Sequence, residues 1–168
     1  RQAIAIDLDK QNALRYYLDV NEEVWPEDHN KKESNWQALL RHGKNGIQML
    51  PYSAVTKEGT QALSACMKKD ANWLSRQLAG LHLNMEDIVL FDTPTGQNDY
   101  LKKVLDVADH VVVVIKPDAG SFFEIDQIKD LLKGYNNYSY IMNQFDVSRT
   151  FCQDMLEVFR QRVGAKLI

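Results

Sequence analysis

The sequence predicts an α/β protein of three layers, a mostly parallel sheet with helices on both faces. Two features carry this prediction. Short apolar runs each close on a polar residue, and stretches with apolar residues at helical spacing lie between them. The chain's 168 residues, 45% hydrophobic and 26% charged, suffice for one domain with a real core.

The elements follow in order. Ala3-Ile4-Ala5-Ile6 is a strand leading into Asp7, after which Gln11-Asn12-Ala13-Leu14 enters a helix. Asn21 to Lys57 is less regular: a polar, turn-rich insert from Trp25 to Glu33, a helix capped by Ser34 or Asn35, and a short strand over Gly46 to Pro51. Leu63, Cys66, Met67, Leu74, Leu78 and Leu81 mark a helical stretch. Asp87 to Phe91 is a strand leading into Asp92, and Leu101, Val104, Leu105 and Ala108 place a helix over Tyr100 to Ala108. Val111 to Ile115 is a strand leading into Lys116-Pro117, followed by a helix over Phe122 to Leu132. Tyr138 to Met142 leads into Asn143, and a last helix covers Arg149 to Val163. Continuous apolar runs imply strands buried on both faces. Open sheets of this kind bind ligands at the carboxyl ends of their strands.

Bulk properties narrow the function. A net charge of −3 gives no reason to expect non-specific nucleic-acid binding. Cys66 and Cys152 form no CxxC pair and read as free thiols in a reduced cytosol. His29, His42, His82 and His110 are scattered, which argues against a zinc site. No apolar run approaches the ~20 residues of a membrane span. The chain starts at Arg1 without Met and closes on Leu167-Ile168. Both ends read as cut within a fold, so 1–168 is expected to be a single domain, an internal piece of a longer one.

Four strand ends carry chemistry. Asp92-Thr93-Pro94-Thr95-Gly96 sets a carboxylate where it can hold Mg²⁺ through its water shell. Gly96, four residues on, lets the backbone approach a phosphate. The competing reading makes Asp92 a helix cap and Pro94-Thr95-Gly96 an ordinary turn. Asp7-Leu8-Asp9 sets a carboxylate at the sheet edge, where Asp9 could orient an attacking water and Asp7 support magnesium. Helix capping competes there too. Asn143-Gln144-Phe145-Asp146 offers an amide that can pair with an adenine edge or cap its own turn. Lys116-Pro117-Asp118 marks a sharp exit from its strand and, by itself, is a loop signal only. No GxxxxGK[ST] sequence occurs in these residues, and one βα unit of about 30 residues upstream is expected to supply that phosphate cradle.

Together these residues resemble the MinD/ParA deviant Walker A ATPases. Ile6 to Asn12 looks like that family's D-x-D-P-Q segment, with Lys10 where proline is usual. Asp92 to Gly96 looks like its D-x-P-x-G switch II, Val112 to Pro117 like its strand ending in proline, and Asn143 to Asp146 like its adenine-side N-x-x-D turn. Within that superfamily, Gln11 to Arg15, Asp118 to Ser121, and Asn143 to Arg149 with Asp154 resemble the BcsQ (YhjQ) family of cellulose-biosynthesis proteins.

The resemblance implies an incomplete P-loop NTPase fold, ATP and Mg²⁺ as cofactors, and Asp9 as the catalytic, water-orienting residue. It implies Asp92, supported by Asp7, at the metal. It also implies Gly96 at the γ-phosphate, Asn143 at adenine and Pro117 beside the nucleotide. Asp9, Asp92, Gly96 and Asn143 are expected along one rim of a twisted sheet. The implied function is an ATP-dependent dimerisation switch supporting cellulose synthesis and secretion. Its partners would be a second copy and other cellulose-synthase (Bcs) subunits, without direct nucleic-acid binding. The expected location is the cytoplasm, with peripheral association to an inner-membrane complex. The intact protein would hydrolyse ATP; the chain without a phosphate cradle is expected to be inactive. The alternatives are a scaffold that binds partners without catalysis and a ParA-like partition protein.

Overall fold

The computed structural model describes residues 1–20, 35–52, 61, 64–65, 67–96 and 98–168. They fall into two compact units, Arg1–Val107 and Ala108–Ile168. The expected insert from Trp25 to Glu33, the Ser34 cap, and Leu63 and Cys66 of the expected helix lie outside the described residues.

The first unit is built on a four-stranded sheet. Strand β1 is Ala3–Asp7, and a one-turn helix α1, Leu14–Tyr17, follows it. Helix α2, Trp36–Leu39, starts where the Asn35 side chain accepts the Ala38 N–H. The two-residue strand β2, Arg41–His42, then precedes β3, Ile47–Leu50. Helix α3, Trp73–Ala79, strand β4, Ile88–Asp92, and helix α4, Asp99–Leu105, follow in the same unit. The order is β2-β3-β1-β4; β1 runs parallel to both β3 and β4, and only β2 is antiparallel. Ala5, Leu18, Val20 and Met49 pack together beneath β1 and β3. Trp36 meets Trp73 edge to face, with centroids 5.8 Å apart.

The helical stretch expected to reach Leu81 is interrupted at Asp70. Its carboxylate takes the Asn72 N–H at 3.0 Å and pairs with Arg76, offering the backbone a turn in place of a further helical step.

The second unit pairs β5, Val111–Ile115, in parallel with β6, Tyr138–Met142. Helix α5, Ala119–Leu131, joins them, and α6, Thr150–Val163, follows β6. Its core is Ile115, Ile125, Tyr140, Phe159 and Val163, with Phe122 and Phe159 edge to face at 5.8 Å.

Burial on both faces holds for β1 but not for every apolar run. Ile88 and Leu90 of β4 are 47% and 59% exposed, and Val112 and Val114 of β5 are 52% and 61% exposed. Exposure alternates along both strands, and successive side chains point to opposite faces, so one face of β4 and one face of β5 is left uncovered among the described residues.

Candidate functional site

The carboxyl ends of β1 and β4 gather three carboxylates. Asp7 and Asp92 are register partners on adjacent parallel strands, and the Leu8 N–H donates to the Asp92 carbonyl at 2.8 Å. Asp7 is buried. One of its oxygens accepts the Asp9 N–H at 2.9 Å and the other the Leu14 N–H at 3.2 Å. The carboxylate therefore braces the turn into α1, whose own cap position, Ala13, has no side chain able to do so. The Asp7 carboxyl is pushed up to about 6: burial raises it most, the two backbone bonds oppose that, and the charges of Asp92 and Asp9 add to the rise.

Asp9 is half-buried and its carboxylate accepts the Gln11 N–H at 2.9 Å, while its carbonyl accepts the Asn12 N–H at 2.9 Å. Asp92 is exposed at the end of β4. Its carboxyl is also raised, first by desolvation and then by the charge of Asp9. Helix α4 is capped by Asn98, whose side chain accepts the Leu101 N–H at 2.9 Å, so Asp92 is not that helix's cap.

Gly96 adopts φ +79, a conformation open to glycine and strained for other residues, and a Cβ there would meet nothing within 4 Å. Conformation and an open approach, not packing, account for glycine at this position. The Asn98 amide donates to the carbonyls of Pro94 at 3.2 Å and Gly96 at 3.0 Å, which holds the turn.

No group of three His, Cys, Asp or Glu side chains able to hold a metal ion by itself occurs among the described residues. Magnesium does not need one. It binds through one or two carboxylates, several waters and substrate phosphates. Asp92 fits that chemistry, being an ionisable carboxylate, exposed at its strand end, with the charge of Asp9 nearby. Both oxygens of Asp7 already accept backbone bonds, so it lies behind Asp92 as a buried second charge.

In the second unit, Asn143 follows β6 and Pro117 follows β5, the carboxyl ends of paired parallel strands. The Asn143 N–H donates to the Ile115 carbonyl at 2.8 Å, and its side-chain oxygen accepts the Gln144 N–H at 2.9 Å. Asn143 is exposed and Pro117 is buried. Asp118 caps α5 by accepting the Ser121 N–H at 2.7 Å. Asp146 accepts the Ser148 N–H at 2.9 Å, and its bonds to Ser148 hold its carboxyl below the ordinary range.

Two asparagines with structural parts in the first site carried no role in the sequence reading. Asn98 could have been found, since an Asn just before an apolar-periodic helix is a cap signal. Asn12 sits at φ 47, and nothing in its spacing announces that.

A family model described as cellulose biosynthesis protein BcsQ matches residues 1–168. The chain belongs to that family. No curated protein matches this BcsQ-family chain in sequence. Among solved structures, a plasmid partition protein from Borrelia burgdorferi is similar, with a TM-score of 0.73 and 14% identity over 99% of this chain and 74% of that one. Cobyrinic acid a,c-diamide synthase from Mycobacterium smegmatis, bound to an ATP analogue and magnesium, gives 0.75 and 21% over 98% and 71%. The MinD cell division protein of Aquifex aeolicus gives 0.68 and 18% over 95% and 66%. At these identities the likeness is one of fold, the α/β P-loop NTPase fold of the MinD/ParA type. No described helix is long and apolar enough to cross a membrane.

Proposed function

We propose that this BcsQ-family protein is an ATP-dependent dimerisation switch that supports cellulose synthesis and secretion. The observation that carries the reading is the carboxylate group at the ends of β1 and β4. Asp7 and Asp92 are register partners whose carboxyls are raised first by desolvation, with the charge of Asp9 adding to both. Such a group stores repulsion that a divalent cation relieves. The solved relative from Mycobacterium smegmatis binds an ATP analogue with magnesium, and a solved MinD stands in complex with MinC. Both support nucleotide use and protein partners here.

In this reading Asp92 holds magnesium through its water shell, with Asp7 behind it. Magnesium supplies charge stabilisation at the phosphates. Asp9 orients the water that attacks the γ-phosphate. The Gly96 N–H bonds a γ-phosphate oxygen, its positive φ setting the amide's direction. Asn143 meets the adenine edge, and buried Pro117 shapes the exit of β5 beside the nucleotide. The phosphate cradle, for which these residues contain no GxxxxGK[ST] sequence, belongs to the rest of the nucleotide site. Partner binding by the dimer, to other cellulose-synthase subunits at the inner membrane, is the output.

Sedimentation of the full-length protein tests this. Magnesium and a non-hydrolysable ATP analogue should convert monomer to dimer, and Asp92→Ala should abolish the conversion. A dimer that forms equally well in Asp92→Ala would remove Asp92, and with it the magnesium assignment.

A further inference from the structure

The first unit contains a chain of contacts that joins the Asp9 turn to the Asp92–Gly96 turn. It starts at Asn12, whose N–H donates to the Asp9 carbonyl at 2.9 Å. The left-handed φ of 47 at Asn12, which asparagine tolerates better than most residues, turns its side chain across to the segment after β3. There its oxygen accepts the Tyr52 N–H at 3.2 Å, a bond between residues 40 apart in sequence. The Tyr52 ring meets the Tyr100 ring edge to face, with centroids 6.4 Å apart and planes at 73°. Tyr100 lies in the first turn of α4, the helix that Asn98 caps while clamping the carbonyls of Pro94 and Gly96.

We propose that Asn12, Tyr52 and Tyr100 are positioning residues that hold the Asp9 turn and the Gly96 turn in one register. A change at either turn is thereby felt at the other. Each link has a distinct physical basis. Asn12 combines a permitted left-handed backbone with a side-chain acceptor. The tyrosine pair is a directional ring contact of the kind that favours one relative placement of its two segments. Asn98 ties the helix start to the glycine turn by two bonds from one amide. The consequence for nucleotide chemistry rests on the function proposed above: a γ-phosphate contact at Gly96 would set the position of the water-orienting Asp9. The relay itself is a property of the folded chain and is measurable without nucleotide.

Amide hydrogen exchange, resolved by residue, tests it. Tyr100→Leu should speed exchange of the Asn12 N–H about fivefold, the scale of one weakened hydrogen bond. Tyr100 makes no direct bond to that amide. Exchange at Met49 in the central sheet should stay unchanged, and Tyr100→Phe, which keeps the ring pair, should leave Asn12 closer to the original. Asn12→Gly keeps the backbone conformation but loses the acceptor, so the Tyr52 N–H should exchange about fivefold faster, and Asn12→Asp should restore protection. Unchanged Asn12 exchange in Tyr100→Leu would overturn the relay. So would equal acceleration at Met49, which would mean general loosening. In the full-length protein, Asn12→Gly should lower kcat for ATP hydrolysis with KM within about twofold, because an orienting group and not a binding group has moved. An absence of turnover in the unsubstituted protein would count against the proposed function and leave the exchange result to decide the relay.

Discussion

The two units end their parallel strands in similar polar residues but use them differently. In the first, desolvation raises the carboxyls of Asp7 and Asp92, and nearby charge adds to it: Asp92 and Asp9 act on Asp7, and Asp9 acts on Asp92. In the second, Asp118 and Asp146 are spent on their own loops, one capping α5 and the other bonded to Ser148 with its carboxyl lowered. A carboxylate at a strand end is therefore not by itself a site. What separates the two cases is whether other carboxylates stand close by, since Asp7 and Asp9 also accept backbone bonds.

Substitutions sharpen that contrast. The largest effect is expected away from either set of strand ends. Phe159→Ala empties the centre of the second unit's core and should cost about 3–5 kcal/mol in urea unfolding. Asp7→Ala comes next. It leaves the N–H groups of Asp9 and Leu14 without their acceptor, at about 1–3 kcal/mol for each group that stays buried, also measured by urea unfolding. Asp118→Ala removes only a cap and should cost about 1 kcal/mol.

The pH dependence is the most specific test. The folded state holds a proton on Asp7 up to about pH 6, whereas the unfolded chain releases it in the ordinary carboxylate range. Between those limits the folded state binds more protons, so this contribution to stability is present at low pH and is lost as pH rises towards 6. Asp146, with its lowered carboxyl, has the opposite sign: its contribution is present above the ordinary range and lost as pH falls through it. Comparing unfolding of Asp7→Asn with the unsubstituted chain from pH 4 to 7 should show the steeper downward slope in the latter, the remainder belonging to Asp92. Equal slopes would break the contrast between the units.

Much of this was legible in the residues. The apolar runs located β1, β4, β5 and β6, because a buried strand must be continuous and must end where polarity begins. Asp7 and Asp92 were legible as strand-end carboxylates, but their adjacency was not, since it depends on β4 pairing directly with β1 and not with β3. The exposure of Leu90 and Val114 was hidden as well: it depends on what covers each face of the sheet, which a run of apolar letters does not record. Asn12 was illegible as a link because its partner, Tyr52, is forty residues away. The break at Asp70 is a local competition between side chain and helix that apolar spacing overlooks.

The central claim is that the repulsion among Asp7, Asp9 and Asp92 marks a magnesium-nucleotide site. Carboxyl titration by carbon-detected NMR on the full-length protein tests it most directly, with and without magnesium and a non-hydrolysable ATP analogue. The account predicts that Asp92 titrates above the ordinary carboxylate range without ligand and falls below it when both are bound, while Asp146 does not move. An Asp92 titration that is the same in both conditions would contradict it.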